Sequence, residues 1–455
     1  MNKKENKISK EIKINKKLAR RNYSNQTGIT LIALVVTIVV LLILAGVSLN
    51  AIFSENGIIK RAQDAQNKMN NAQESDLNAL NDLDKWINNQ VNGTTGGNTT
   101  GGNDNPSTTP KISTLVGKVV DKNTKAEDAY GNKITIPKGF KILEHNPTSN
   151  TGAVTYNYTN LEETGEHIPA VQDGIVIEDT QTGTAGNQFV WVPVGTIKNK
   201  NGSTNTITLG RYEFDSSTGA LKSTTPAQVA SVENCTKIVT ISKGGTDYQE
   251  LSTFREGNSA TNSTAQNATA RNLEEFISTT LANGGYYIAR FEASGTASKV
   301  TSKYDQTVLT NITQPNAAKA AREMYGEIKE NNKLVYASDL VNSYAWDTAI
   351  IFIQTYSGKT DYASHNESKT TKAFTATGKN NDKYCNIWDM SGNAYECTTE
   401  YSTYSDPRRF CPCVIRGGYY NTNYGEARTY SSYRDYAGMT NSDSHGGLRP
   451  LLYVK

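Results

Sequence analysis

Histidine and cysteine are scarce in this 455-residue chain, with four of the first and five of the second. The histidines (His145, His167, His365, His445) are scattered and form neither an HExxH pair nor a triad pattern, which sets aside zinc-peptidase and histidine-based hydrolase chemistry. The cysteines (Cys235, Cys385, Cys397, Cys411, Cys413) are sparse and odd in number, so they make no disulfide framework. A single bridge stays open, from Cys397 to Cys411 or Cys413. Cys411-Pro-Cys413 lacks the second cysteine pair that a zinc site requires. Charge of one sign is also nearly absent: the formal +3 is owed to the first 28 residues, and the rest is slightly acidic. No nucleic-acid partner is therefore expected.

Those first residues carry seven lysines and two arginines against Glu5 and Glu11. Such an excess keeps a segment on the cytoplasmic side of a membrane. An uncharged apolar run, Ile29 to Leu49, follows at once and would span about 31 Å as a helix, the thickness of a bilayer core. From Phe53 to Gln90 apolar residues recur at helical spacing (Ile58, Ile59, Ala62, Ala65, Met69, then Leu77, Leu80, Leu83, Ile87), which predicts a stalk. The stretch Asn92 to Pro110, built of Gly, Thr and Asn, has nothing to bury and reads as a tether.

The stretch from Gly28 through Ile29-Thr-Leu-Ile-Ala33 to Leu44-Ala-Gly resembles the leader of type IV prepilins and pseudopilins. The resemblance implies that a prepilin peptidase cuts after Gly28 and that Ile29 becomes the N-methylated amino terminus. The family usually has Glu at the fifth mature position, where Ala33 stands here, so a minor or tip subunit is implied rather than a major pilin. A plain uncleaved signal anchor is the rival reading.

Beyond the tether, short β-rich runs dominate: Lys133-Ile-Thr-Ile-Pro, Gly174-Ile-Val-Ile-Glu, Gln188-Phe-Val-Trp-Val-Pro-Val, Lys237-Ile-Val-Thr-Ile and Gly285-Tyr-Tyr-Ile-Ala-Arg-Phe-Glu. Two helices are predicted, one over about Asn316 to Glu330 and one opened by an N-cap at Ser338, with Leu340, Val341, Tyr344, Ala345, Thr348 and Phe352 on one face. Trp346 and Trp388 are expected in the core. An α+β domain follows. Within it, Asp389-Met-Ser-Gly-Asn-Ala-Tyr-Glu396 places two carboxylates around a tight Gly-Asn turn that can turn main-chain carbonyls outward, a set of hard oxygens that suits Ca²⁺.

That motif, with Arg416-Gly-Gly-Tyr and Gly447-Leu-Arg449, resembles the formylglycine-generating-enzyme (sulfatase-modifying factor) family, whose domain has an irregular C-type-lectin-like fold. Phe189-Val-Trp-Val-Pro-Val and Tyr287-Ile-Ala-Arg-Phe-Glu resemble its opening strands, and the likeness covers about residues 174–455. It implies a calcium site at Asp389, the carbonyls of Gly392 and Ala394, and Glu396. The family's catalytic cysteine pair follows the RGG element; here that stretch has no cysteine, so the chain is expected not to be an enzyme.

The segment from Tyr419 to His445 interleaves tyrosine with Asn, Ser, Thr, Asp and Gly, as in paratopes, where tyrosine supplies contact area at low entropic cost. Tyr419, Tyr420, Asn421, Asn423, Tyr424, Tyr430, Tyr433, Arg434 and Tyr436 are the expected ligand-binding residues, whereas Arg416 and Arg449 read as holding the fold. With its RGG start and Gly447-Leu-Arg449-Pro450 finish, this block also resembles the variable region of retroelement-diversified proteins. The expected organisation is a basic leader (1–28), a transmembrane and stalk helix (29–90), a linker (91–112), a β-rich lead-in (113–173) and a lectin-like domain (174–455). The expected role is that of a single-pass membrane protein with an extracellular head that binds a glycan or a protein. The alternative is a minor pilin whose head contacts other pilin subunits.

Overall fold

The computed structural model describes residues 109–158, 167–235, 237, 239–250, 268–331, 333–366, 373–406, 409–420, 430–438 and 444–455, together with Val35, Val36 and Val39. The chain divides into two units, Met1–Asp104 and Asn105–Lys455. In the first, Val35, Val36 and Val39 are helical; the cleavage position (Gly28, Ile29), the stalk and most of the apolar run lie outside the described residues. Among the described residues no helix is long and apolar enough to cross a membrane.

The second unit, the head, is mostly β-sheet with few helices. Its principal strands in chain order are β1 (Phe140–Ile142), β2 (Val176–Asp179), β3 (Gln188–Pro193), β4 (Ile241–Lys243), β5 (Thr246–Gln249), β6 (Gly285–Ala289), β7 (Glu327–Glu330), β8 (Lys333–Leu340), β9 (Tyr395–Ser402), β10 (Cys413–Arg416), β11 (Arg434–Ala437), β12 (Gly446–Leu448) and β13 (Pro450–Val454). The longer helices are α1 (Leu273–Asn283), α2 (Gln314–Glu323) and α3 (Ser343–Tyr356).

Seven of these strands make a large antiparallel sheet in the order β7-β8-β13-β6-β3-β2-β1. The other six make a second sheet, β4-β5-β9-β10-β11, with β12 running parallel to β9. The central strands are buried along their whole length, as in β3 and β6, which explains why they read as continuous apolar runs rather than alternating ones. Helix α1 packs on β6 and β13, and α2 touches both β8 and β9. A single apolar core runs from Ile112, Ile134 and Phe140 to Trp191, Trp346, Leu451 and Leu452. Trp346 is fully buried, and its indole Nε1 donates to the Ser431 carbonyl at 3.0 Å. Trp388 is only half buried.

Local signals moved two element boundaries. Helix α2 stops at Glu323, Gly326 turns the chain at φ 64°, and Glu327–Glu330 becomes an edge strand instead of helix. The next helix begins at Ser343, because the Asn342 side chain accepts from Ala345 N at 2.9 Å. Ser338 lies inside β8; its hydroxyl accepts from Tyr325 N and donates to Arg322 O, fastening the strand to the end of α2. All five cysteines are thiols. Cys397 and Cys413 sit on the neighbouring strands β9 and β10, but the register sets Cys397 opposite Ile415 and Cys413 opposite Tyr401, so a bridge between them does not form.

Candidate functional site

The Gly-Asn turn is built by three left-handed residues close together: Asp389 (φ 59°), Gly392 (φ 79°) and Asn393 (φ 57°). Asp, Asn and Gly are the residues that tolerate this conformation, so the local sequence fits the turn. Carboxylates from elsewhere hold it. Glu292 accepts from Ala394 N at 2.9 Å and from the Asn393 amide, and Asp382 accepts from Ser391 N at 2.6 Å. Asp389 accepts from Gly378 N at 2.8 Å. Arg449 donates from Nε and Nη2 to one oxygen of Glu396, at 3.0 and 2.6 Å, and also to the Asp389 carbonyl at 3.0 Å.

Glu292, Asp389, Glu396 and Arg449 are all buried. Three carboxyls therefore share one guanidinium, and burial, reinforced by their mutual repulsion, pushes Glu292 and Glu396 well above the ordinary carboxylate range. Glu396 Oε2 is buried with no hydrogen-bond partner. Among the described residues no group of three or more His, Cys, Asp or Glu side chains is arranged to hold a metal. The expected set of two carboxylates and two main-chain oxygens is smaller than such a group.

A second buried frame joins α3, β9, β10 and β11. Asp347 pairs with Arg416 at 2.6 Å and Arg434 at 3.0 Å, and Glu400 pairs with Arg211 at 2.6 Å and Arg434 at 3.0 Å. Burial alone would raise Glu400; Arg434, Arg211 and Arg416 outweigh it and hold the carboxyl down at about 2. Charges so enclosed are stable only as a set, since removing one partner leaves another buried and uncompensated.

Above the Gly-Asn turn stands a group of aromatic rings. Phe374 meets Tyr420 edge-on at 4.6 Å between centroids, and Tyr420 lies 5.6 Å from His445. Tyr419 sits behind them, 4.9 Å from both His445 and Tyr395. The Tyr420 N–H donates to the Asn393 carbonyl at 3.1 Å, tying this platform to the turn. Phe374 is 37% exposed, Tyr420 and His445 are half exposed, and Tyr419 is buried.

No protein-family model matches the chain, and no curated protein matches it. Among solved structures, one titled crystal structure of CarF aligns at 14% identity with a TM-score of 0.27, covering 44% of this chain and 92% of its own. The I1 variant of Major Tropism Determinant aligns at 12% identity with a TM-score of 0.22, covering 76% and 99%, and its U1 variant at 12% and 0.21, covering 76% and 98%. Likenesses this faint carry no argument about what the head does.

The residues expected to bind a ligand fall in three places. Tyr419 and Tyr420 belong to the platform. Tyr430, Tyr433 and Arg434 line a narrow groove with Gly219 and Lys243, whose ammonium sits 4.6 Å over the Tyr433 ring. Tyr436 stacks on Tyr404 at 3.5 Å. Tyr419, Tyr433 and Arg434 are buried rather than turned outward, because their rings and guanidinium complete the core and the ionic frame. Asn421, Asn423 and Tyr424 lie outside the described residues. Sequence reasoning missed Phe374, His445 and Glu292. A signal for Glu292 existed: two charged residues, Arg290 and Glu292, closing an otherwise apolar strand imply buried partners.

Proposed function

We propose that this chain is a surface-displayed binding protein that takes a glycan or protein ligand on the platform of Phe374, Tyr420 and His445. The observation that carries the reading is a cluster of aromatic rings, Phe374 exposed and Tyr420 and His445 half exposed, set on a turn whose every support is buried. Aromatic faces supply contact area with little entropy to lose, and sugars and apolar side chains both stack on them. Asn421, Asn423 and Tyr424 follow Tyr420 in sequence and belong to the same expected binding set. The remainder of the proposal is a prepilin-type anchor, cut after Gly28 by a prepilin peptidase and held in the membrane by the run from Ile29, with the lectin-like head outside the cell. No catalytic step is assigned to it.

The test is binding of the full-length chain in detergent to glycan and surface-protein arrays, beside the double variant Phe374→Ala/Tyr420→Ala. Specific hits weakened about tenfold or more in the variant are expected, the loss usual for aromatic anchors at an interface. A well-folded protein with no hits would favour the pilin-subunit reading instead.

A second reading, a receptor-binding protein diversified by a retroelement, is favoured by one feature. In sequence, the Tyr-rich block from Tyr419 to His445 is bracketed by Arg416 and Arg449, both buried in ion pairs, so exposed positions of the block can vary between two fixed points. A reverse-transcriptase gene and a near-copy template repeat beside the coding sequence would support it, and their absence would remove it.

Calcium belongs to the same proposal. Asp389 and Glu396, with the Gly392 and Ala394 carbonyls, would hold the ion, which would balance the surplus carboxylate charge of the turn. The melting temperature is expected to rise with added Ca²⁺ and not with added chelator, by mass action on the folded state, and the rise should vanish in Asp389→Asn. Equal melting with and without the ion would end that part.

A further inference from the structure

A cavity of about 180 Å³ lies apart from both the turn and the platform, lined in part by Gln172, Asp173, Tyr158, Tyr356, Lys383 and Tyr384. At ~30 Å³ per water it holds about six waters, or one small organic molecule. Its wall is rigidly built. Cys385 and Asn386 are consecutive left-handed residues (φ 45° and 61°), a conformation that non-glycine side chains adopt only when the surroundings enforce it. Enforcement comes from the Asn386 side chain, which accepts from Thr155 N at 2.9 Å and donates to the carbonyls of Thr155, Asp173 and Gly174. Gly174 lies so close that a Cβ there would be 2.0 Å from the Cys385 carbonyl oxygen.

Two polar groups in this wall, Lys383 and Gln172, are poised for a ligand. Lys383 donates to Thr155 Oγ1 at 2.8 Å and, among the described residues, has no carboxylate within ion-pairing distance. Gln172 is fully buried, and while its amide nitrogen donates to Lys198 O, its Oε1 has no hydrogen-bond partner. Behind them Arg290, among the described residues, also has no carboxylate within ion-pairing distance: its guanidinium is met by Gln188 Oε1 at 2.6 Å and by the carbonyls of Asn386 and Ala153. Asp173 faces the same space, but its oxygens are taken by the N–H groups of Asn157, Tyr158 and Ala170 at 2.5, 2.7 and 3.1 Å.

We infer that this cavity binds a small carboxylate carrying a hydrogen-bond donor, its carboxylate on Lys383 and its donor on Gln172 Oε1. The donor set decides the class. One ammonium suits a single negative charge, and the main-chain N–H groups that a phosphate would need are already engaged by Asp173. Burial, aided by Asp173, raises the Cys385 thiol far above its usual range, so it stays a thiol and the site binds without a covalent step.

The full-length chain in detergent would be titrated calorimetrically with glycerate and L-serine, which have carboxylate and donor, with propionate, which lacks the donor, with glycerol, which lacks the charge, and with inorganic phosphate. Saturable binding of glycerate or serine is expected, about tenfold weaker for propionate and absent for glycerol and phosphate. Lys383→Gln should lose at least about tenfold in affinity at an unchanged melting temperature while Lys383→Arg retains binding, and Gln172→Leu, a second variant, should bind glycerate no better than propionate. Failure of every carboxylate to bind, binding of phosphate in their place, or affinity indifferent to both variants would overturn the inference. Tyr420→Ala should leave this binding unchanged, so the result is independent of the platform.

Discussion

At the scale of single residues, the informative groups are those buried with a charge to lose. Glu250 is buried in hydrogen bonds from Ser343 N and Oγ at 2.8 Å each and from Thr399 Oγ1 at 2.6 Å. Burial, with the nearby charge of Glu400, pushes its carboxyl up to about 7 although the hydrogen bonds oppose the shift. A folded-state value raised above the unfolded one means that its contribution to stability is whole below about pH 4.5 and is lost as pH climbs through about 7. Glu250→Gln keeps an acceptor for Ser343 and gains a donor for Thr399. It is expected to match the parent in urea at pH 5 and to exceed it at pH 8 by on the order of 1–3 kcal/mol. Parallel pH profiles for the two proteins would contradict this. Residue roles were legible where the neighbours did not matter: Arg416 and Arg449 read as holding the fold, and both are buried in ion pairs. Arg434 looked the same in sequence as an exposed arginine, because its partner Asp347 lies 87 positions away and only the fold brings them together.

At the scale of elements, apolar strands announced themselves and helix edges did not. Lys133–Ile136 and β3 stand where the β-rich runs placed them, since a buried strand needs little beyond continuous apolar, branched or aromatic residues. Helix α1 passed unread although its signals were present: Asn272 caps it by accepting from Glu275 N, Glu274 and Glu275 favour its first turn, and Gly284 closes it at φ 74°. Its β-branched and polar interior, Ile-Ser-Thr-Thr, hid the period. Between the two candidate caps of α3 a measurement distinguishes roles. Asn342→Ala removes the bond to Ala345 N and should cost about 1–2 kcal/mol in urea unfolding with loss of helical signal. Ser338→Ala severs a strand-to-helix tie and should leave the helical signal of α3 unchanged.

For the whole molecule, the ordering of strands matters more than their number. β13 pairs with β8 on one side and β6 on the other, so the last strand of the chain occupies an inner position of the large sheet. Leu451, Leu452, Tyr453 and Val454 are all buried there. At about 1.5–3 kcal/mol for each large apolar side chain, they contribute as much as the 5–15 kcal/mol by which a whole domain is usually stable. Deleting Pro450–Lys455 is therefore expected to abolish cooperative thermal unfolding of the head and to expose dye-binding apolar surface; a truncated head that still melts sharply would refute this. The same placement sets an order on folding. β6 and β8 keep open edges until β13 lies between them, so two parts of the large sheet that are far apart in sequence, β7-β8 and β6-β3-β2-β1, are joined by a single strand and neither is finished without it.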